Sequence, residues 1–152
     1  MTDFGYSTRF TNEDNLVSIP KSWPWCAPEH DRDKFKPAQA RKMDVFSFGM
    51  LCFWVLFEKY LSGITILPQE SHWAEQYIQD KGERYLSKRI LNDLKQEDNL
   101  VVLARQLVMA ERDLDDDKKQ ALERFFNISL ACNPDLREAD LNQSFCCLIT
   151  DQ

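Results

Sequence analysis

Four short blocks hold the residues of this chain whose chemistry is most particular: Asp3-Phe4-Gly5, Trp25-Cys26-Ala27-Pro28-Glu29, Asp44-Val45-Phe46-Ser47-Phe48-Gly49 and Leu130-Ala131-Cys132-Asn133-Pro134-Asp135-Leu136-Arg137. Asp3 supplies a hard carboxylate on backbone that Gly5 frees, and standing alone it reads equally as a solvated residue near a terminus. Thiol and imidazole chemistry is not indicated. The five cysteines, Cys26, Cys52, Cys132, Cys146 and Cys147, form no C-x-x-C pair, and His30 and His72 stand apart from them, so neither a zinc site nor a disulfide framework is suggested.

The elements that must position these blocks are mostly helices. Residues 6–42 are rich in Ser, Thr, Asn, Asp and Pro without an apolar period, which predicts one long irregular segment. Met43 to Leu61 is the most apolar stretch, with Asp44 at its start and Glu58-Lys59 at its end. It is too short and too charged at its flanks for a bilayer span, and predicts a central helix with Phe48, Leu51 and Val55 deeply buried. Beyond turns near Gly63 and Pro68, residues 73–94 carry apolar residues at helical intervals, with a break at Gly82. Leu100 to Leu114 and Lys118 to Cys132 predict two more helices, the second ended by Asn133-Pro134-Asp135, and a last short helix is predicted over 138–148.

Bulk properties fit one compact unit: 152 residues, 43% hydrophobic, can bury one sizeable core. With 19 Lys and Arg against 25 Asp and Glu, a net charge of -6 and no long basic run, the chain is not suited to nucleic acid or an anionic membrane surface; proteins or small ligands are the expected partners. The first five residues hold neither a basic nor an apolar leader, so a cytoplasmic or nuclear location is expected, with reduced thiols.

The four blocks in this order, D-F-G, A-P-E, D-x-x-S-F-G and a late Asn-Pro-x-x-Arg, resemble the second half of a protein kinase catalytic domain, over nearly the whole chain. The resemblance implies a mainly α fold: the helical C-terminal lobe of the protein-kinase-like fold (43–152) behind an irregular activation segment (1–29). It implies that Asp3 is the magnesium ligand, that Phe4 reports active and inactive arrangements, and that Gly5 gives the loop its freedom. Tyr6, Ser7, Thr8, Thr11 and Ser18 become possible phosphosites, with ordinary loop hydroxyls as the plainer reading. Ser22 takes a position where serine/threonine kinases keep a hydroxyl, whereas Trp25 before x-A-P-E is a feature of tyrosine kinases and tyrosine-kinase-like enzymes.

The same resemblance implies an ion pair between Glu29 and Arg137, with a bidentate geometry offsetting the cost of burial. Asp44 would be an acceptor for catalytic-loop backbone, left here either as a helix N-terminal charge or without its partners. Magnesium and ATP serve the parent family, which transfers the γ-phosphate to protein serine or threonine, less expectedly tyrosine. These residues contain no G-x-G-x-x-G loop, no strand lysine of the V-A-I-K kind and no His-Arg-Asp loop. The chain is therefore expected to bind neither cofactor well and to be inactive alone. A truncated kinase, a non-catalytic module that binds partners of a full kinase, and a helical domain unrelated to kinases are the three readings left open, with a protein substrate or regulatory protein as the expected partner.

Overall fold

The computed structural model describes residues 10–31 and 33–137, and these form a mainly helical body. The first described segment is not wholly irregular, as the absence of an apolar period predicted. Val17–Ser18 (β1) pairs antiparallel with Lys34–Phe35 (β2), Val17 opposite Phe35, and both of these side chains are buried. Two residues per strand are too few to show alternation in the sequence, yet the pair closes a loop and sets Phe35 into the core.

Helix α1 spans Pro37–Leu56, so it begins well before the predicted Met43. Pro37 sits at the first helical position, where its fixed φ is preorganised and its missing N–H costs nothing, and the Lys36 N–H donates to Gln39 Oε1 at 3.1 Å. The residues that follow, Ala38 to Met43, are all good helix formers. The helical run then breaks at Phe57, and a single turn, α2 (Glu58–Leu61), follows.

The buried face of α1 is also different from the predicted one. Met43, Phe46, Met50 and Phe53, continued by Phe57, lie at helical spacing and are 2% exposed or less, whereas Leu51 is 50% exposed, Val55 66%, and Phe48 only partly buried. An all-round apolar helix carries no record of which face is covered; the face turned inward is the one the later helices meet. Burying each of these side chains contributes about 1.5–3 kcal/mol.

The remaining elements are α3 (His72–Asp80), α4 (Lys88–Gln96), α5 (Leu100–Ala110) and α6 (Asp116–Ser129), with short 3-10 turns at Gln69–Ser71 and Pro134–Leu136. Gly82, at φ 73°, lies in the break between α3 and α4 where the sequence placed one. Ser87 caps α4 by accepting the Ile90 N–H at 3.3 Å, and Asp115 caps α6 by accepting the Lys118 N–H at 2.8 Å. Helix α6 packs on both α1 and α5. At its inner face Phe126 meets Phe53 and Phe57, with ring centroids 6.1 and 5.9 Å apart, and Phe125 meets Phe48 edge-on at 5.9 Å. The helix predicted over 138–148 lies outside the described residues. Among the described residues no helix is long and apolar enough to cross a membrane.

Candidate functional site

The segment Trp23 to His30 has almost no secondary structure of its own, and its position is set by side chains from three directions. At one end Arg137, its side chain fully buried behind the last 3-10 turn, brings Nη2 to 2.6 Å from Glu29 Oε2. Its guanidinium also donates to the Lys42 carbonyl at 3.1 Å and the Cys132 carbonyl at 3.4 Å, and lies 5.3 Å from the centre of the Phe46 ring. One cation therefore ties the A-P-E block, the D-x-x-S-F-G helix and the Asn-Pro-x-x-Arg block together.

The pair is not the bidentate fork the resemblance implied. Among the described residues Glu29 Oε1 and Arg137 Nε have no hydrogen-bond partner, and the close Nη2–Oε2 contact lacks the alignment of a true hydrogen bond, so the attraction is chiefly between charges. The reason is that Arg137 divides its donors between the carboxylate and two backbone carbonyls. Beside Glu29 lies a cavity of about 330 Å³ lined also by Phe35, Gln39, Lys42, Pro134 and Asp135.

The middle of the segment is held by a residue that the sequence reading did not single out. Lys95, in the last turn of α4, is 2% exposed, and its Nζ donates to the Pro24 carbonyl at 3.0 Å and the Cys26 carbonyl at 2.8 Å. Burial pushes the Lys95 ammonium below its ordinary pKa, opposed by the nearby Cys26 and Glu29. The signal was present: Lys95 falls on the same stripe as Ile90, Leu91 and Leu94, where a lysine has no reason to be unless it has acceptors to meet. Two aromatic contacts complete the seat. Trp25 meets Trp54 of α1 edge-on at 5.3 Å, and His30 lies 5.1 Å from Phe35 while its Nε2 reaches the Ile19 carbonyl at 3.0 Å.

Gly49 also has a plain reason to be glycine. A Cβ there would stand 2.5 Å from Ser129 Oγ and 2.7 Å from Ser129 Cβ, so α1 and α6 can cross this closely only where one of them has no side chain.

Of the other residues singled out, Ser22 is exposed, with its carbonyl accepting the Cys26 N–H at 2.9 Å, and Thr11 and Ser18 are exposed. Asp44 is well inside α1 rather than at its N-terminus, because the helix starts at Pro37. It is exposed at the surface, yet the protein around its carboxyl raises the pKa above the usual carboxylate value, and no hydrogen bond reaches it from the described residues. Asp3, Phe4, Gly5, Ser7 and Thr8 lie outside the described residues. Among the described residues no group of His, Cys, Asp and Glu is gathered to hold a metal ion. Cys26, Cys52 and Cys132 are free thiols, and burial raises the pKa of Cys52 and Cys132. Comparison of the chain with protein-family models, with curated proteins and with solved structures finds no match.

Proposed function

We propose that these 152 residues are the helical lobe of a protein-kinase-like domain together with part of its activation segment, and that alone they transfer no phosphate. The observation that carries the reading is the Arg137 cluster, in which the guanidinium lies against Glu29 of A-P-E and the Phe46 ring of D-x-x-S-F-G. Three blocks matched in sequence order meet at one buried cation, which supports the resemblance. Phosphoryl transfer rests on positioning and charge stabilisation by a phosphate-covering loop, a lysine, a catalytic aspartate and metal ligands. Of these the sequence retains Asp3. In the parent family the group transferred is the γ-phosphate of magnesium-bound ATP and the acceptor a protein serine or threonine.

Two measurements test this. The isolated chain, given labelled ATP, magnesium and a generic protein substrate, should show only background; incorporation abolished by Asp3→Ala would overturn the proposal that these residues alone transfer no phosphate. Joined behind the glycine-rich lobe and His-Arg-Asp loop of an active serine/threonine kinase, the chain should support transfer that Asp3→Ala removes. A folded chimera that binds ATP and magnesium but transfers nothing would count against the kinase reading.

The second reading, a non-catalytic module binding a protein partner, is supported by the apolar side chains the helical body leaves at its surface, Ile64 and Ile66 above all.

A further inference from the structure

On the side of the molecule where α2, the 62–68 loop and the start of α4 meet, Tyr85 stands between two hollows. The larger, about 410 Å³, has Ile66, Leu67, Ile78 and Leu86 in its walls; the smaller, about 380 Å³, lies between Trp54 and the first turn of α4. Glu83, Tyr85 and Leu86 line both, so the two form one interrupted groove. Two of its lining residues are unusually exposed for apolar side chains, Ile66 at 83% and Tyr85 at 46%, and Ile64, two residues before Ile66, is 82% exposed. Isolated exposed apolar residues are ordinary, but apolar side chains set in the walls of a hollow suit the capture of another apolar side chain.

The charges around the groove indicate what covers it. Arg84, Lys88 and Arg89 are all exposed, and none has a carboxylate within ion-pair distance among the described residues, in a chain of net charge -6. Lys81, close by in sequence, is by contrast engaged by Asp93 and Glu97. Glu83 lines both hollows; the smaller adds the free cations Lys88 and Arg89, whereas the larger adds Glu75 and Arg84. The smaller end is therefore the basic end, reinforced by the positive pole of α4.

We infer that this groove docks a peptide segment of a partner protein, with one apolar side chain in the larger hollow and acidic residues following it over Lys88 and Arg89. The apolar anchor supplies buried area, and the charges orient the segment and exclude basic ones. The inference does not depend on the kinase reading, and an inactive chimera in the transfer assay leaves it untouched.

The test uses the full chain and a fluorescein-labelled peptide with one leucine followed by a run of glutamates, read by fluorescence anisotropy at low salt. The glutamate peptide should bind, and versions with lysine for glutamate or alanine for leucine should bind about tenfold or more weakly. The variant K88E/R89E and, separately, Ile66→Asp should each lose about tenfold in affinity while keeping the circular dichroism and melting temperature of the parent. All these positions are exposed, so the variants should fold. No binding by the glutamate peptide, or equal binding by the lysine peptide, would overturn the proposal. So would a concentration-dependent dimer, seen by sedimentation and abolished by Ile66→Asp, since the groove would then belong to a second copy of this chain.

Discussion

Replacing Gly49 by alanine adds a single methyl group, and its effect can be worked from the crossing of α1 and α6. The new Cβ would lie 2.5 Å from Ser129 Oγ, 2.7 Å from Ser129 Cβ and 3.0 Å from Leu130 Cδ2. The hydroxyl can rotate away, but Ser129 Cβ is fixed by its own helix, so the helices must separate to restore an ordinary carbon–carbon distance of about 3.5–4.0 Å. That movement opens the adjoining Phe53–Phe126 and Phe57–Phe126 contacts. Overpacking of this kind costs about 1–3 kcal/mol, and a backbone-anchored clash belongs at the upper end; the better helix propensity of alanine returns about 1 kcal/mol. The net expectation is a loss of about 2 kcal/mol, or a fall of about 4–8 °C in melting temperature for a domain of this size. Urea unfolding followed by circular dichroism at 222 nm measures it. Adding Ser129→Gly should recover much of the loss, giving a favourable coupling in the double-mutant cycle, whereas Ser129→Ala, which keeps the Cβ, should recover little. If Gly49→Ala leaves stability unchanged or raises it, the two helices do not cross this closely and the account of the glycine fails.

Arg137→Ala should lower stability by about 3–5 kcal/mol because it leaves Glu29 without its cation and two carbonyls without their donor; unchanged urea unfolding would remove the anchor from the argument. Lys95→Met should cost about 1–3 kcal/mol through the unmet Pro24 and Cys26 carbonyls, an amount its relief of ammonium burial reduces; a melting temperature above the parent's would show that the two hydrogen bonds matter less than the buried charge. The pH dependence is a separate check. With the folded pKa of Lys95 below its ordinary 10.5, the unfolded chain binds more protons between those two values, so the penalty is full below the folded pKa and vanishes as pH rises through the window. The stability of the parent relative to Lys95→Met should accordingly rise with pH on the alkaline side, and a flat difference would contradict the burial. On α1, Leu51→Gln should change stability by no more than about 0.5 kcal/mol while Phe53→Ala costs about 3–5 kcal/mol; the reverse order would restore the face first predicted from the sequence.

What could be read in the sequence depended on whether a residue's role is expressed locally. The break at Gly82 is a matter of backbone freedom and was legible, whereas α6 ends at Ser129, three residues short of the predicted Cys132. The early start of α1 is not evident from composition, because residues 6–42 are rich in Pro, yet Pro37 before a run of Ala, Gln, Arg, Lys and Met begins a helix as readily as a proline ends one. The buried face of α1 was not recoverable by any period, since Phe53 and Leu51 are both strongly apolar and the distinction between them is made by Phe126, far along the chain. The strand pair was invisible for a similar reason: the partner that makes Val17 a strand residue is Phe35.

The Trp23 to His30 segment shows how a region without local structure acquires a definite place. It has few backbone hydrogen bonds of its own, so its conformational entropy must be offset by contacts from outside it. These come from separate elements: Arg137 after α6, Lys95 on α4 and Trp54 on α1. Each cation is buried and would be costly without the segment's oxygens, and those oxygens would be unmet without the cations. The dependence is mutual, so the segment and the helical body should order together.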